Sequence, residues 1–149
     1  SELDKLSMKF DIVYSSLAFH YVPDFQKLAN DIYNLLNTGG YLLFSQEHPI
    51  VTATFDGKQH YNKDENGNYT SFTFSNYNQP GERDTFWYVD GVKKYHRTFS
   101  NIISALCRVG FVIDTVCEPL PIENATDFIP NILEKELIKP TFLIVKASK

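Results

Sequence analysis

The chain has 149 residues, a formal net charge of −4, 43% apolar and 21% charged residues. This is one domain's length with enough apolar surface to offset the entropy of ordering, which excludes wholesale disorder. The mild acidity and the lack of a Lys/Arg block exclude a counterion-releasing nucleic-acid surface, and no apolar run approaches the ~20 residues that span a bilayer.

Phe10 to Ser15, FDIVYS, is an apolar run of strand length with the look of a buried parallel strand. A loop, SLAFHYV, follows. Pro23 and Asp24 suit a helix start, and Phe25, Leu28, Ala29, Ile32, Leu35 and Leu36 recur at helical spacing. Asn37 to Gly40 read as its end, with Gly39 as the left-handed cap. Tyr41 to Gln46, YLLFSQ, is a second buried strand, so the unit is strand–helix–strand and its two strands are expected to be parallel.

Residues 51 to 99 break this rhythm: the stretch is polar, yet it holds 11 of the chain's 22 aromatic residues. Thr70 to Tyr77 alternates as a half-exposed strand, and in FWYVDGVKKYHRTF the Asp90-Gly91 pair marks a hairpin turn. We read a β-rich flap with its own small apolar face. The α/β rhythm then resumes. Thr98 or Ser100 caps a helix with Phe99, Ile103, Leu106 and Cys107 on one face, ended by Gly110. Phe111 to Glu118 is a strand broken by Pro119 and Pro121. A helix covers about 127 to 137, with Pro130 pointing to a start near Asn131, and Thr141 to Ala147 is a last strand, expected antiparallel beside its predecessor. The two cysteines, Cys107 and Cys117, are too far apart for a CxxC site and read as reduced apolar filler. SELDKLSMKF lacks a signal-peptide layout, and we expect a cytoplasmic protein.

Three words in this order, FDIVYSSLAFHYVPD, LLNTGGYLLFSQEHP and HRTFSNIISALCRVGFVIDTVCEPLP, resemble the C-terminal half of a class I S-adenosylmethionine-dependent methyltransferase. In this order and spacing they extend from Phe10 to Pro121. The resemblance implies an α/β fold: the C-terminal half of a Rossmann-like sheet, parallel strands plus a final antiparallel strand, with 51–99 as an inserted flap over the acceptor side. It also implies S-adenosylmethionine as methyl donor and a small molecule as acceptor. The departure is as informative. In that family a GxGxG-like loop after the first strand lets the backbone approach the donor, and an acidic residue takes the ribose hydroxyls. Neither can be placed here, since no two of the seven glycines are separated by a single residue. The chain then reads as a single partial domain that binds the donor poorly by itself.

Ligands sit at the carboxyl ends of parallel strands, which nominates three groups. By the resemblance, Ser15, Ser16 and Leu17 line the methionine end of the donor, and His20 and Tyr21 face the acceptor. An imidazole near its ordinary pKa would serve as a general base, or His20 simply packs between elements. Glu47 and His48 follow the second strand and either touch substrate or form a hydrogen-bonded turn. In the flap, Tyr61, Tyr69, Phe86, Trp87, Tyr88 and Tyr95 would enclose an organic acceptor or form a satellite core. His96 and Arg97 beside them would bind substrate, Arg97 by clamping an anionic group or else as a surface ion pair. No metal site is expected: the histidines at 20, 48, 60 and 96 show no HxxxH spacing.

Two other readings stand beside an acceptor-side enzyme portion. One is a non-catalytic module that pairs through an exposed sheet edge, as a homodimer or domain swap. The other is an unrelated nucleotide-binding Rossmann protein, which the missing glycine loop weakens equally.

Overall fold

In the computed structural model the described residues are 3–56, 58–87 and 89–149, without the side chains of residues 4, 86, 87, 89 and 90. The first two apolar runs become β1 (Phe10–Ser16) and β2 (Leu36–Glu47), which pair in parallel with Ile12 opposite Tyr41 and Ser15 opposite Phe44. Between them runs α1 (Phe25–Leu35), capped by Asp24, whose carboxylate accepts the Lys27 N–H at 2.8 Å. Its buried stripe is the one the spacing predicts: Phe25, Leu28, Ala29, Ile32 and Leu35.

The end of α1 is not where the glycines suggest. Leu36 is already extended, and Gly39, with φ 82°, lies inside β2 rather than capping the helix. Its N–H bonds the carbonyl of Lys149, and a side chain on the neighbouring Gly40 would meet the Asp11 carbonyl at 2.9 Å. Sheet pairing to β1 and to the C-terminus thus takes over residues that a local reading assigns to a cap. The glycines serve close backbone approach.

The last strand, β8 (Phe142–Ser148), lies antiparallel between β2 and β7 (Val112–Cys117), giving the order β1-β2-β8-β7. Leu42, Phe44, Leu143, Val145 and Ala147 alternate into one core with Phe19 and the inward faces of α1 and α3 (Phe99–Val109). α3 opens on a reciprocal capping box between Thr98 and Asn101 and closes on Gly110 at φ 113°. Its buried face is Ile102, Ala105 and Leu106. Cys107 falls outside that stripe and is exposed, as is Cys117 on edge strand β7, so the expectation of buried filler is corrected for both.

Residues 60–96 form two hairpins: β3 (His60–Lys63) with β4 (Tyr69–Thr73), and β5 (Gly81–Trp87) with β6 (Val89–His96). Trp87 pairs with Val89, so Asp90-Gly91 lies within β6 and is not the turn. The register opposes Arg83 to Lys94, and both side chains are buried. Displacing the turn would move that inward set out of place. β4 stops at Thr73, short of Tyr77. Tyr61 packs edge-on against Tyr69 and Phe72 at 5.3 and 5.1 Å. The Lys139 ammonium covers Tyr61 and Phe72 at 5.4 and 5.2 Å, which seats the first hairpin on α4 (Ile132–Ile138). α4 starts after Asn131, the late start that Pro130 suggests. A short helix, α2 (Pro49–Thr52), leads from β2 towards the hairpins. Among the described residues no helix is long and apolar enough to cross a membrane.

Candidate functional site

The carboxyl ends of β1 and β2 and the amino end of β8 meet, because β8 runs antiparallel with Phe142 opposite Glu47. Leu17, His20, Tyr21, Glu47, Thr141 and Phe142 line a cleft of about 490 Å³ there. Ser15 and Ser16 are the last residues of β1. Leu17 then turns into the left-handed region at φ 50°, while its N–H bonds the Ser45 carbonyl at 2.9 Å. A leucine in that conformation costs about 1 kcal/mol or more, and such strain is concentrated at functional sites.

His20 follows on a 3-10 turn (Phe19–Tyr21) and is 3% exposed. Its Nδ1 accepts the backbone N–H of Glu47 at 3.3 Å, and burial holds its pKa below the ordinary 6.5. The neutral ring therefore carries its proton on Nε2. In this arrangement the Nδ1 lone pair is engaged by the Glu47 N–H. The His20 side chain is one of those lining the cleft. The adjacent Tyr21 ring lies 4.2 Å from the imidazole, centroid to centroid.

Glu47 and His48 point apart, as neighbours on an extended chain must. Glu47 Oε1 takes the Lys94 ammonium at 2.6 Å, both side chains largely buried, and its Oε2 is buried without a hydrogen-bond partner. Lys94 joins flap to cleft here, and the sequence reading missed it. The available signal was its alternation with His96 along β6. His48 instead caps α2, accepting the Ile50 N–H on Nδ1 at 3.2 Å and donating from Nε2 to Glu118 at 2.9 Å. Of the two readings for His48, the structure shows the hydrogen-bonded turn. Thr141, also missed, is tied on several sides. Its N–H donates to Glu136 Oε2 at 2.8 Å, its hydroxyl donates to Glu136 Oε1, and its carbonyl takes the His48 N–H at 2.8 Å.

Two of the flap residues expected to bind substrate, His96 and Arg97, make contacts within the protein. His96 is 1% exposed, with Nε2 donating to the Tyr77 carbonyl and Nδ1 accepting from Thr52 Oγ1, each at 2.8 Å. Arg97 donates to the carbonyls of Val22, Pro23 (3.0 Å) and Tyr95 (3.1 Å), and burial pushes its pKa down to about 10. Both His96 nitrogens are engaged within the protein, and the Arg97 guanidinium binds the loop before α1. The partners are distant in sequence: Arg97 meets the loop before α1, and His96 sits between Thr52 of α2 and the Tyr77 carbonyl. Phe86, Trp87 and Tyr88 lie outside the residues whose side chains are described. Tyr61 and Tyr69 belong to the satellite cluster on α4. Among the described residues no group of His, Cys, Asp and Glu could hold a metal ion.

A mixed sheet with helices between its parallel strands and a ligand-sized cleft at their carboxyl ends defines a Rossmann-like α/β protein. The sequence pattern described as a methyltransferase domain matches residues 2–44. An S-adenosylmethionine-dependent methyltransferase from Mesorhizobium loti is 38% identical and superposes over 100% of this chain and 68% of its own, with a TM-score of 0.84. A second structure, described as a putative S-adenosylmethionine-dependent methyltransferase from Listeria monocytogenes, is 29% identical, with a TM-score of 0.80 over 99% of this chain and 66% of its own. An uncharacterized protein of Haemophilus influenzae is 32% identical over 140 residues, which span 94% of this chain and 54% of that protein. The chain belongs to the S-adenosylmethionine-dependent methyltransferases, and it spans about half to two thirds of the length of these relatives.

The described residues do not fit the whole donor. Glycines with positive φ stand at 39, 67, 81, 91 and 110, in β2, in the hairpins and at the end of α3. None forms a loop between a parallel strand's carboxyl end and a following helix, where a donor's backbone cradle would lie.

Proposed function

We propose that this chain supplies the acceptor side of a small-molecule methyltransferase, with the acceptor held in the cleft at the carboxyl ends of β1 and β2. The observation that carries this reading is the convergence of a strained Leu17, the His20 imidazole and the Glu47 carboxylate on one cleft of about 490 Å³. Ser15, Ser16 and Leu17 form the wall nearest the methyl donor. The buried imidazole orients a polar atom of the acceptor through Nε2–H. The Glu47–Lys94 pair fixes the flap beside it, while Tyr21 and Phe142 exclude water from an organic ring. The donor, S-adenosylmethionine, needs a glycine-rich cradle that these residues lack, so the 149-residue chain alone is expected to be inactive.

Two measurements test this. Calorimetric titration of the isolated chain with S-adenosylmethionine should give no heat at micromolar concentrations; micromolar affinity for a monomer overturns the division of labour. Chemical-shift titration with small phenols, amides and amines should move signals of Leu17, Tyr21 and Phe142, and Tyr21→Ala should abolish the shifts. Shifts clustered elsewhere would reassign the acceptor site.

A further inference from the structure

Among the described residues lining the cleft at the carboxyl ends of β1 and β2, Glu47 is the only carboxylate. Around it stand the apolar side chains of Leu17, Tyr21, Val51 and Phe142. Glu47 Oε1 takes the Lys94 ammonium at 2.6 Å, the two side chains being 16% and 8% exposed. Oε2 is buried and has no hydrogen-bond partner among the described residues. A carboxylate accepts through both oxygens, and an acceptor withdrawn from water without a donor is costly, the more so when it carries charge. One hydrogen bond at this site is therefore open to a group that enters the cleft.

The charges nearby decide which donor fits. Lys94 balances Glu47. The second buried cation, Lys139, feels Glu136 most strongly and Glu47 next. Thr141 links it to Glu136: the Lys139 ammonium donates to the Thr141 hydroxyl at 3.0 Å, and that hydroxyl donates to Glu136 Oε1. The formal charges of these two carboxylates and two ammoniums cancel. An entering cation would stand uncompensated beside Lys94 and Lys139, and an entering anion would face the Glu47 carboxylate. A neutral O–H or N–H adds a hydrogen bond and no charge.

We propose that Glu47 Oε2 selects the methyl acceptor by its chemistry: an apolar body, such as an aromatic ring, bearing a neutral O–H or N–H that donates to this oxygen. The inference rests on the cleft being the acceptor site, and one ligand series separates the two. Chemical-shift titration of the chain with phenol, toluene and benzylamine offers the same ring with a neutral donor, with none, and with a cation. Phenol should move the signals of Leu17, Tyr21 and Phe142 with about tenfold higher affinity than toluene or benzylamine. Equal affinity of phenol and toluene at those residues overturns the role of Oε2, which water then serves, and leaves the cleft standing as acceptor site. Benzylamine binding tightest overturns the neutral-donor assignment in the same way. Shifts clustered away from the cleft, or none, overturn the acceptor site and the inference with it. Glu47→Gln keeps the shape and loses the charge, so it should reduce the advantage of phenol over toluene to about twofold. An advantage kept in full overturns the role of Glu47. Because Glu47→Gln leaves Lys94 buried without its counter-charge, the double variant Glu47→Leu with Lys94→Met replaces the pair by apolar side chains of similar size, and it should erase the advantage as well.

Discussion

Arg83 is the clearest case of a residue whose role the sequence conceals. In the run GERDTFW it reads as one more surface charge, yet it is 2% exposed. Its guanidinium donates to the carbonyls of Ala53 at 3.0 Å, Gln79 at 2.7 Å and Glu82 at 3.1 Å, and stacks 4.0 Å over the Phe55 ring. Backbone oxygens replace water around the charge, and the segment after α2 and the turn before β5 are held to one side chain. Arg83→Met removes those donors and leaves the carbonyls buried, so it should cost about 3 kcal/mol by urea unfolding. Arg83→Lys, with one ammonium in place of a planar fork, should recover only part. His20 teaches the same lesson at the cleft. Its position at the end of a parallel strand was legible; which nitrogen carries the proton was set by the Glu47 N–H, a contact 27 residues away.

At the scale of elements, signals held where the bonds they announce are local. The α3 cap is an example: the Thr98 hydroxyl accepts the Asn101 N–H at 3.1 Å, and Asn101 answers the Thr98 N–H. Thr98→Ala should lower stability by about 1 kcal/mol in a thermal melt, while Thr98→Ser should stay within a few tenths. Gly110 ends the same helix as the spacing predicts, with the Tyr33 hydroxyl oxygen 3.0 Å from where a Cβ would stand. Gly39 and Asp90-Gly91 carry equally good local signals, and both were overridden. Each lies in a strand whose partner fixes its register, and ladder pairing along many residues outweighs one turn preference. The short strands at His60–Lys63 and Tyr69–Thr73 were only half legible, since β3 has no apolar alternation of its own and is defined by pairing with β4.

Across the whole molecule, three buried histidines, His20, His48 and His96, share one electrostatic sign. Burial holds the pKa of each below the ordinary 6.5. On unfolding each returns to that value, so in the interval just below it the unfolded chain binds more protons than the folded one. Their contribution to stability is complete above pH 6.5 and is lost as the pH falls from there towards the depressed values. Unfolding free energy measured in urea should therefore drop between about pH 7 and pH 5.5, with a slope reporting proton uptake on unfolding. A slope of zero or of opposite sign over that interval would contradict the neutral, buried state of these rings.

The strand–helix–strand unit, the stripe of α1, both ends of α3 and the late start of α4 are written in the order and spacing of residues, because periodicity and caps act within a few positions. The resemblance to a methyltransferase rested on that same order. The chain by itself could not say that Glu47 would meet Lys94, that Thr141 would be tied to Glu136 and His48, or that His96 and Arg97 would be consumed in holding loops. Those contacts join residues distant in sequence, and their energies depend on the burial that only the assembled sheet creates.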